Sequence, residues 1–456
     1  MKLSRHLVII GISINLSACA FSSVFVSYPS HIAPIKNQLN QASNTDIAKQ
    51  LAAGINTDDG LLYAQEAGRV AQIEGHFKAS QDYYQQAIRD YQHFDDKAKV
   101  SLSDLGATGS SLLINDNVIP YRGPGYERIM LHQYQALNFV FEHNYEAALV
   151  EVRRANELQQ TEQQRYQNSL KAVSDINNGT IDAEVDRLSA AAGKTTSSYL
   201  NAYSYYTTAL LYELLGQPND AFIDYRKAAQ IAPDNRYIQQ DLVRLAKQLD
   251  MPQYSDFKRR WGTAKSATST QGTVVFIVEK GFVPTKQSIT VPFTINGNWQ
   301  TASIASYLPN YQMVTPTTIS GLGQPLTTAP IANIGALAIT ALKEDLPAAL
   351  ARQAARVYAK SRLNQSFERD DNSQSNAASV ASLAIQIFNV VTEQADLRSW
   401  LTLPKQAQIA RQYVKGGQYT ISLNHSTQSI QVKAGHTTLV WAIDTGNYTY
   451  FHSIII

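Results

Sequence analysis

Small and apolar residues recur at helical spacing through the first half of the chain, and three stretches share one pattern. A small residue is followed seven positions on by a turn residue, then by an aromatic or proline, a second small residue, and a third seven later. The stretches are Gly68, Gly75, Phe77, Ser80, Tyr84 and Ala87; Ala136, His143, Tyr145, Ala148, Val152 and Ala155; and Ala209, Gly216, Pro218, Ala221, Tyr225 and Ala228. This spacing predicts pairs of antiparallel helices. The first two small positions face each other at the crossing, where a larger side chain would push the helices apart. The turn residue ends the first helix, and Pro233 marks the end of the last.

The pattern resembles the tetratricopeptide repeat (TPR), most clearly over Leu214-Leu215-Gly216-Gln217-Pro218-Asn219-Asp220-Ala221. The second small positions lie 68 and 73 residues apart, about twice the usual period of 34. Insertions account for this better than degenerate repeats. The first gap contains Pro120, Gly123, Pro124 and Gly125, which exclude a continuous helix. The second holds a polar helical run from Glu157 to Ile176, a break at Asn177-Asn178-Gly179 and a short helix from Ile181 to Ala192. A loop over 193–198 follows. Asn235 to Leu249 reads as a helix capping the open end of the stack.

Beyond a small polar linker over 263–272 the pattern changes to strands. Thr273 to Val278 is a buried strand, Gln287 to Ile295 a second one broken or bulged at Pro292, and Thr301 to Tyr307 a third. Helical spacing returns over Ile331 to Lys343, Leu346 to Leu363 and Ala377 to Ala395. Five strands then follow Pro404: Gln408 to Val414, Gln418 to Leu423, Ser429 to Val432, Thr437 to Ile443 and Tyr448 to Ile455. The expected fold class is α+β. A TPR-like helical hairpin domain over 46–262 precedes a β-sheet or sandwich domain over 263–456, with a helical insertion at about 331–400. The last five strands could instead form a separate domain.

The N-terminus departs from both patterns. Lys2 and Arg5 precede an apolar core from Leu7 to Ile14, too short for a bilayer span of about 20 residues. Leu16-Ser17-Ala18-Cys19 then resembles the lipobox of bacterial lipoproteins. The resemblance implies a signal peptide over 1–18, lipid on the Cys19 thiol and a lipidated tether over 19–45. Cys19 is the only cysteine, so no intramolecular disulfide is possible. Ala20, in place of Asp, points by the sorting rule of enterobacterial lipoproteins to the outer membrane; it does not say which face is occupied, and the periplasmic face is the expectation.

Charge adds little. The net charge is +2, and losing the signal removes Lys2 and Arg5 and no acid, so nothing suggests nucleic acid or a polybasic lipid-binding surface. No His-Glu-x-x-His motif occurs, and one cysteine excludes a zinc ribbon or a cysteine-ligated Fe–S site. Gly321-Leu322-Gly323 lacks the Lys and helix start of a phosphate loop. Ser255-Asp256-Phe257-Lys258 has the spacing of penicillin-interacting serine enzymes, but the later partners fall in the wrong order. These absences imply no catalysis, cofactor or metal.

Four segments carry a wider resemblance. They are Tyr121-Arg122-Gly123-Pro124-Gly125-Tyr126-Glu127-Arg128, residues 145–155, Gly281-Phe282-Val283-Pro284-Thr285-Lys286, and residues 392–400. The layout resembles an uncharacterised family of proteobacterial outer-membrane lipoproteins with TPR hairpins and a β-rich C-terminal half, a likeness that brings no established activity. Repeat register projects a groove lined by Leu62, Gln65, Arg69 and Gln72; Met130, Gln133, Leu137 and Val140; and Tyr203, Tyr206, Leu210 and Glu213. This set suits an extended or helical peptide of an envelope protein, unless terminal segments of the same chain fill it. Tyr121, Arg122 and Tyr126 form either a recognition loop or a packed turn beneath the first hairpin. Asp396, Arg398 and Trp400 are expected to lock the insert onto the sheet. The reading is a lipid-anchored envelope scaffold that binds proteins through its groove. The alternatives are a cell-wall ligand binder or enzyme with its site near Glu393, Asp396 and Arg398, or a structural subunit of an envelope assembly.

Overall fold

The computed structural model describes residues 27–42, 46–101, 120–172, 179–295, 298–308, 314–346, 349 and 395–456. The signal segment, Cys19 and Glu393 lie outside them, as does most of the helices expected over Leu346 to Leu363 and Ala377 to Ala395. The tether is shorter than the sequence suggests. Tyr28–Asn40 forms a helix, α1, because Ile32, Ile35 and Leu39 fall on one face and are buried. A proline in its first turn, where an N–H lacks an intrahelical partner anyway, favours the start. The Tyr450 hydroxyl donates to the Leu39 carbonyl at 2.9 Å, fixing the other end. The short α2 (Ile47–Ala52) follows.

Each repeat is a helical hairpin: α3 (Gly60–Ile73) with α4 (Phe77–Ser101), α5 (Gly125–Phe141) with α6 (Tyr145–Ala172), and α8 (Ala202–Leu214) with α9 (Pro218–Ile231). Gly75, His143 and Gly216 adopt φ of 82°, 59° and 80°, the left-handed turn that the repeat pattern requires. In all three hairpins the next residue donates its N–H to the carbonyl five residues back, at 2.8 Å. About a third of the extra spacing comes from long second helices, and the rest lies in the segments between the hairpins. α4 and α6 have 25 and 28 residues against 14 in α9, so the polar run after Glu157 continues α6 instead of starting anew. The inserted α7 (Gly179–Ala192) adds to the second gap. Asn201 and Asn235 accept backbone N–H groups to cap α8 and α10 (Arg236–Gln248), and α11 (Tyr254–Trp261) ends the stack.

The second half builds one five-stranded sheet in the order β11-β10-β1-β7-β6. Its members are β1 (Gln271–Phe282), β6 (Ala329–Asn333), β7 (Pro404–Lys415), β10 (Thr437–Asp444) and β11 (Thr449–Ile455). β1 lies between β7, antiparallel, and β10, parallel, so the late strands are not a separate domain. A strand buried on both faces can pair centrally, and Val274 to Val278 are all fully buried. β4 (Thr318–Ser320), β5 (Leu326–Thr327), β8 (Gly417–Leu423) and β9 (Ser426–Val432) form a second sheet, whose Ile421, Leu423, Ile430 and Val432 face the core. β2 (Gln287–Ile295) and β3 (Asn298–Ser306) pair as a ribbon. β2 continues through Pro292 without the expected break, since a ribbon strand has a free side on which a missing N–H disturbs no ladder. The early insert is a strand, β6, before residues 334–346 turn helical as α12. Helical and β segments share one hydrophobic core.

The hairpin crossing gives a direct test. A Cβ on Gly68 would lie 2.4 Å from the Tyr84 ring. Gly68→Val is expected to lower stability by about 1–3 kcal/mol, a usual cost of overpacking. The readout is an earlier urea midpoint, and an unchanged one would mean that the crossing is looser than described.

Candidate functional site

The projected groove faces the chain's own sheet. Leu62, Gln65, Arg69, Met130, Gln133, Leu137, Tyr203, Tyr206 and Leu210 all have 0 % exposure. The expectation of a groove open to a partner therefore does not hold, and the occupant is β1 with its neighbours. The register is legible in the pairing. Val275, Ile277 and Glu279 share one face of β1 with Arg411 on β7 and Trp441 on β10, and this face meets the hairpins.

Glu279 is the centre of that face. Arg69 of α3 forms a buried ion pair with it, and the hydroxyls of Tyr134 (α5) and Tyr203 (α8) donate to its Oε1 at 2.8 and 2.7 Å. One group thus comes from the first helix of each hairpin. The Arg69 guanidinium lies 4.4 Å from the Tyr134 ring centroid and 5.3 Å from that of Trp441. Arg69 Nη1 also donates to Gln72 Oε1 at 3.0 Å, and Gln72 Nε2 donates to Asn138 Oδ1 at 2.6 Å. Asn138 in turn donates to Ser80 Oγ at 2.8 Å. Arg69, Gln72 and Tyr203 thus share one interior network, while Gln65 donates to the Tyr91 hydroxyl and Gln133 to that of Thr207.

Residues 395–403 run as an extended strap between α3 and α5. Trp400 N–H donates to Glu127 Oε1 at 3.0 Å, while Leu401 and Thr402 N–H donate to the two Glu66 oxygens at 2.6 and 3.1 Å. The Trp400 ring packs edge-on to Tyr84 and Tyr134. Burial pushes the Glu66 carboxyl up to about 7, against the bonds from Thr402 and Leu401. Burial also pulls the Lys36 ammonium down to about 8, partly offset by Glu66. Arg398 pairs with Asp59 at 2.5 Å and Asp396 at 2.8 Å. So Arg398 and Trp400 hold the strap to the hairpins and not to the sheet as expected, because the carboxylates that need donors lie on α3, α5 and the turn before α3. In the loop, Tyr121 and Tyr126 are buried and donate to Glu127 at 2.7 and 3.3 Å. Arg122 alone of the three is exposed, its guanidinium 5.6 Å from the Phe94 ring centroid.

A third tie closes the C-terminal end of the stack. Arg411 reaches Glu213 (3.3 Å) and Asp241 (3.1 Å), and Arg244 binds the same two carboxylates at 2.7 and 3.2 Å. Burial would raise the Glu213 carboxyl, but Arg411 and Arg244 hold it at about 2. Glu66, Glu127, Asp241, Arg244, Glu279 and Arg411 were not picked out from the sequence. Glu279 is marked only as a charge inside an apolar strand, and Asp241, Arg244 and Arg411 sit among other polar residues that give no signal. Among the described residues no group of three His, Cys, Asp or Glu could hold a metal, and no helix is long and apolar enough to cross a membrane. Comparison with protein-family models, curated proteins and solved structures finds no match.

Two predictions test the interface. Arg69→Met is expected to cost about 3–5 kcal/mol by leaving Glu279 buried without its cation, and adding Glu279→Leu should recover much of that loss. Additive losses in chemical unfolding would mean that the pair is not coupled. The second concerns His452, which packs against Phe77, Phe141 and Trp441 and shares a hydrogen bond with the Ile73 carbonyl, Nε2 to O 3.1 Å. Burial lowers its imidazole from 6.5 to about 4. A depressed histidine contributes stability in full above the unfolded value and loses it as pH falls. Unfolding free energy should decline between pH 6.5 and 4, and His452→Phe should flatten that part of the profile. An identical slope in both proteins would assign the acid sensitivity elsewhere.

Proposed function

We propose that the chain is a lipid-anchored structural scaffold of the bacterial cell envelope whose TPR-like hairpins hold its own β half. Partner proteins then meet its outer surfaces. The observation that carries this reading is the convergence of all three first helices on Glu279, which leaves no open groove. The lipobox ending at Cys19 supports covalent attachment, and the residue after it favours the outer membrane. The ligand-binding alternative has less support, since Asp396 and Arg398 are paired with each other and with Asp59. The large exposed apolar side chains among the described residues are Val150, Ile223, Leu308 and Tyr448, and they are where a protein contact would gain most.

The test is made in living cells. Cys19→Ser should abolish incorporation of a palmitate analogue and release the protein from the membrane fraction. A photo-crosslinking residue at Ile223 or Val150 should give a discrete adduct, whereas one at Tyr203 should give only intramolecular products. An intermolecular adduct from Tyr203 would restore the open-groove reading.

A further inference from the structure

The last helix of the stack packs Tyr254, Phe257 and Trp261 against the core and carries a cationic face that neither the interface nor the core explains. None of the residues of α11 is buried. Tyr254, Phe257 and Trp261 follow one another at helical spacing and are only half covered. Phe257 lies 6.3 Å from Phe222 and 4.9 Å from Trp261, ring centroid to centroid. Lys258, Arg259 and Arg260 project into solvent beside them, and Lys265 is exposed just beyond the helix. Asp256 is the only acid from 254 to 265, and both Arg259 and Arg260 are paired with it. This stretch therefore holds four cations and one anion in a chain whose total is +2.

We propose that α11 with Lys265 is a second membrane contact, which seats the body on anionic lipid headgroups. The proposal rests on the lipid anchor at Cys19 for the first contact. Two features select lipid as the occupant. Cations projecting from one short helix beside the exposed rims of core-packed aromatic rings match the bilayer interface, where cations meet phosphates and ring edges lie at the headgroup boundary. The chain length between anchor and body points the same way. Eight residues separate Cys19 from Tyr28, so the docked α1 lies within about 27 Å of the lipid even when they are fully extended. A single anchor leaves orientation free at that distance. A basic aromatic patch fixes it, each cation strengthening the contact about fivefold on an anionic surface.

The experiment uses the lipidated protein in vesicles of phosphatidylethanolamine, alone or mixed with phosphatidylglycerol, and follows amide hydrogen exchange over 254–265. Exchange there should be about fivefold slower or more in the anionic vesicles, and the difference should vanish in about 0.5 M salt. Arg259→Glu with Arg260→Glu should abolish it. Lys258→Gln with Lys265→Gln, which leaves the partners of Asp256 in place, should weaken it with α11 still folded. Equal exchange in both vesicle types overturns the proposal, even if the patch then proves to hold an acidic protein. Co-flotation with vesicles reads the anchor separately: a protein that floats without this difference refutes the second contact alone, and one that fails to float refutes the anchor as well.

Discussion

A carboxylate in the middle of an apolar strand has to be matched where it stands, and Glu279 places that demand on the whole molecule. Val274 to Val278 bury both faces of β1, so the strand cannot turn its acid to water. A slip of one residue would exchange the faces and put Glu279 against the second sheet. The donors come from three hairpins, Arg69, Tyr134 and Tyr203, so the pairing also fixes how those hairpins sit relative to each other. Buried ion pairs contribute modest net stability, because desolvation offsets most of the attraction. What this one contributes is register. Only one placement of the sheet leaves neither Arg69 nor Glu279 alone in the interior.

The other ties follow from the same accounting for backbone and charge. Residues 400–402 lie outside any helix or ladder, yet they are buried, and their N–H groups need acceptors. Glu127 and Glu66 supply them from the hairpins. Arg411 is carried by β7 into the helical layer and is matched there by Glu213 and Asp241. These partners are far apart in sequence, whereas each hairpin joins neighbours. The hairpins can form locally, and the interface that buries their polar face waits for the second half of the chain.

Much of the helical half was legible because its signals are local. The turn positions Gly75, His143 and Gly216 adopt the backbone that the repeat pattern demands, and the small positions such as Ala136 and Ala209 are fully buried. Strand content was legible from β-branched runs, but strand order was not. Nothing in Thr437 to Ile443 says that it lies parallel to β1, since that partner is set by the face each strand must bury. The projected groove residues other than Glu213 are all buried, and that environment was not legible. A surface of Leu62, Met130 and Leu210 with Gln65, Gln133 and Tyr203 looks the same whether it meets a peptide or a sheet. Of the distinguishing groups, Glu279 lies among apolar neighbours that concealed it, and Arg411 lies in a strand with Gln406, Gln408 and Gln412, where one more polar residue carries no message. Tyr134 and Tyr203 are informative in retrospect, because a buried tyrosine brings a hydroxyl that needs an acceptor.

Whether the hairpins could still exchange their sheet for a foreign peptide can be decided by magnitude. Breaking a buried ionic tie without replacing it costs about 3–5 kcal/mol. Two such ties hold the two halves, centred on Glu279 and on Arg411, and the backbone bonds to Glu66 and Glu127 add to them. Together the two ionic ties represent roughly 6–10 kcal/mol before any apolar area is counted. A peptide of nanomolar affinity brings about 12 kcal/mol at standard concentration, and far less at cellular concentrations. It would also have to present its own carboxylate to Arg69, with two tyrosine hydroxyls converging on it. Competition by a peptide therefore does not open this interface short of unfolding the β half. The helical face that the repeat register projected as a docking groove is here a permanent part of the core.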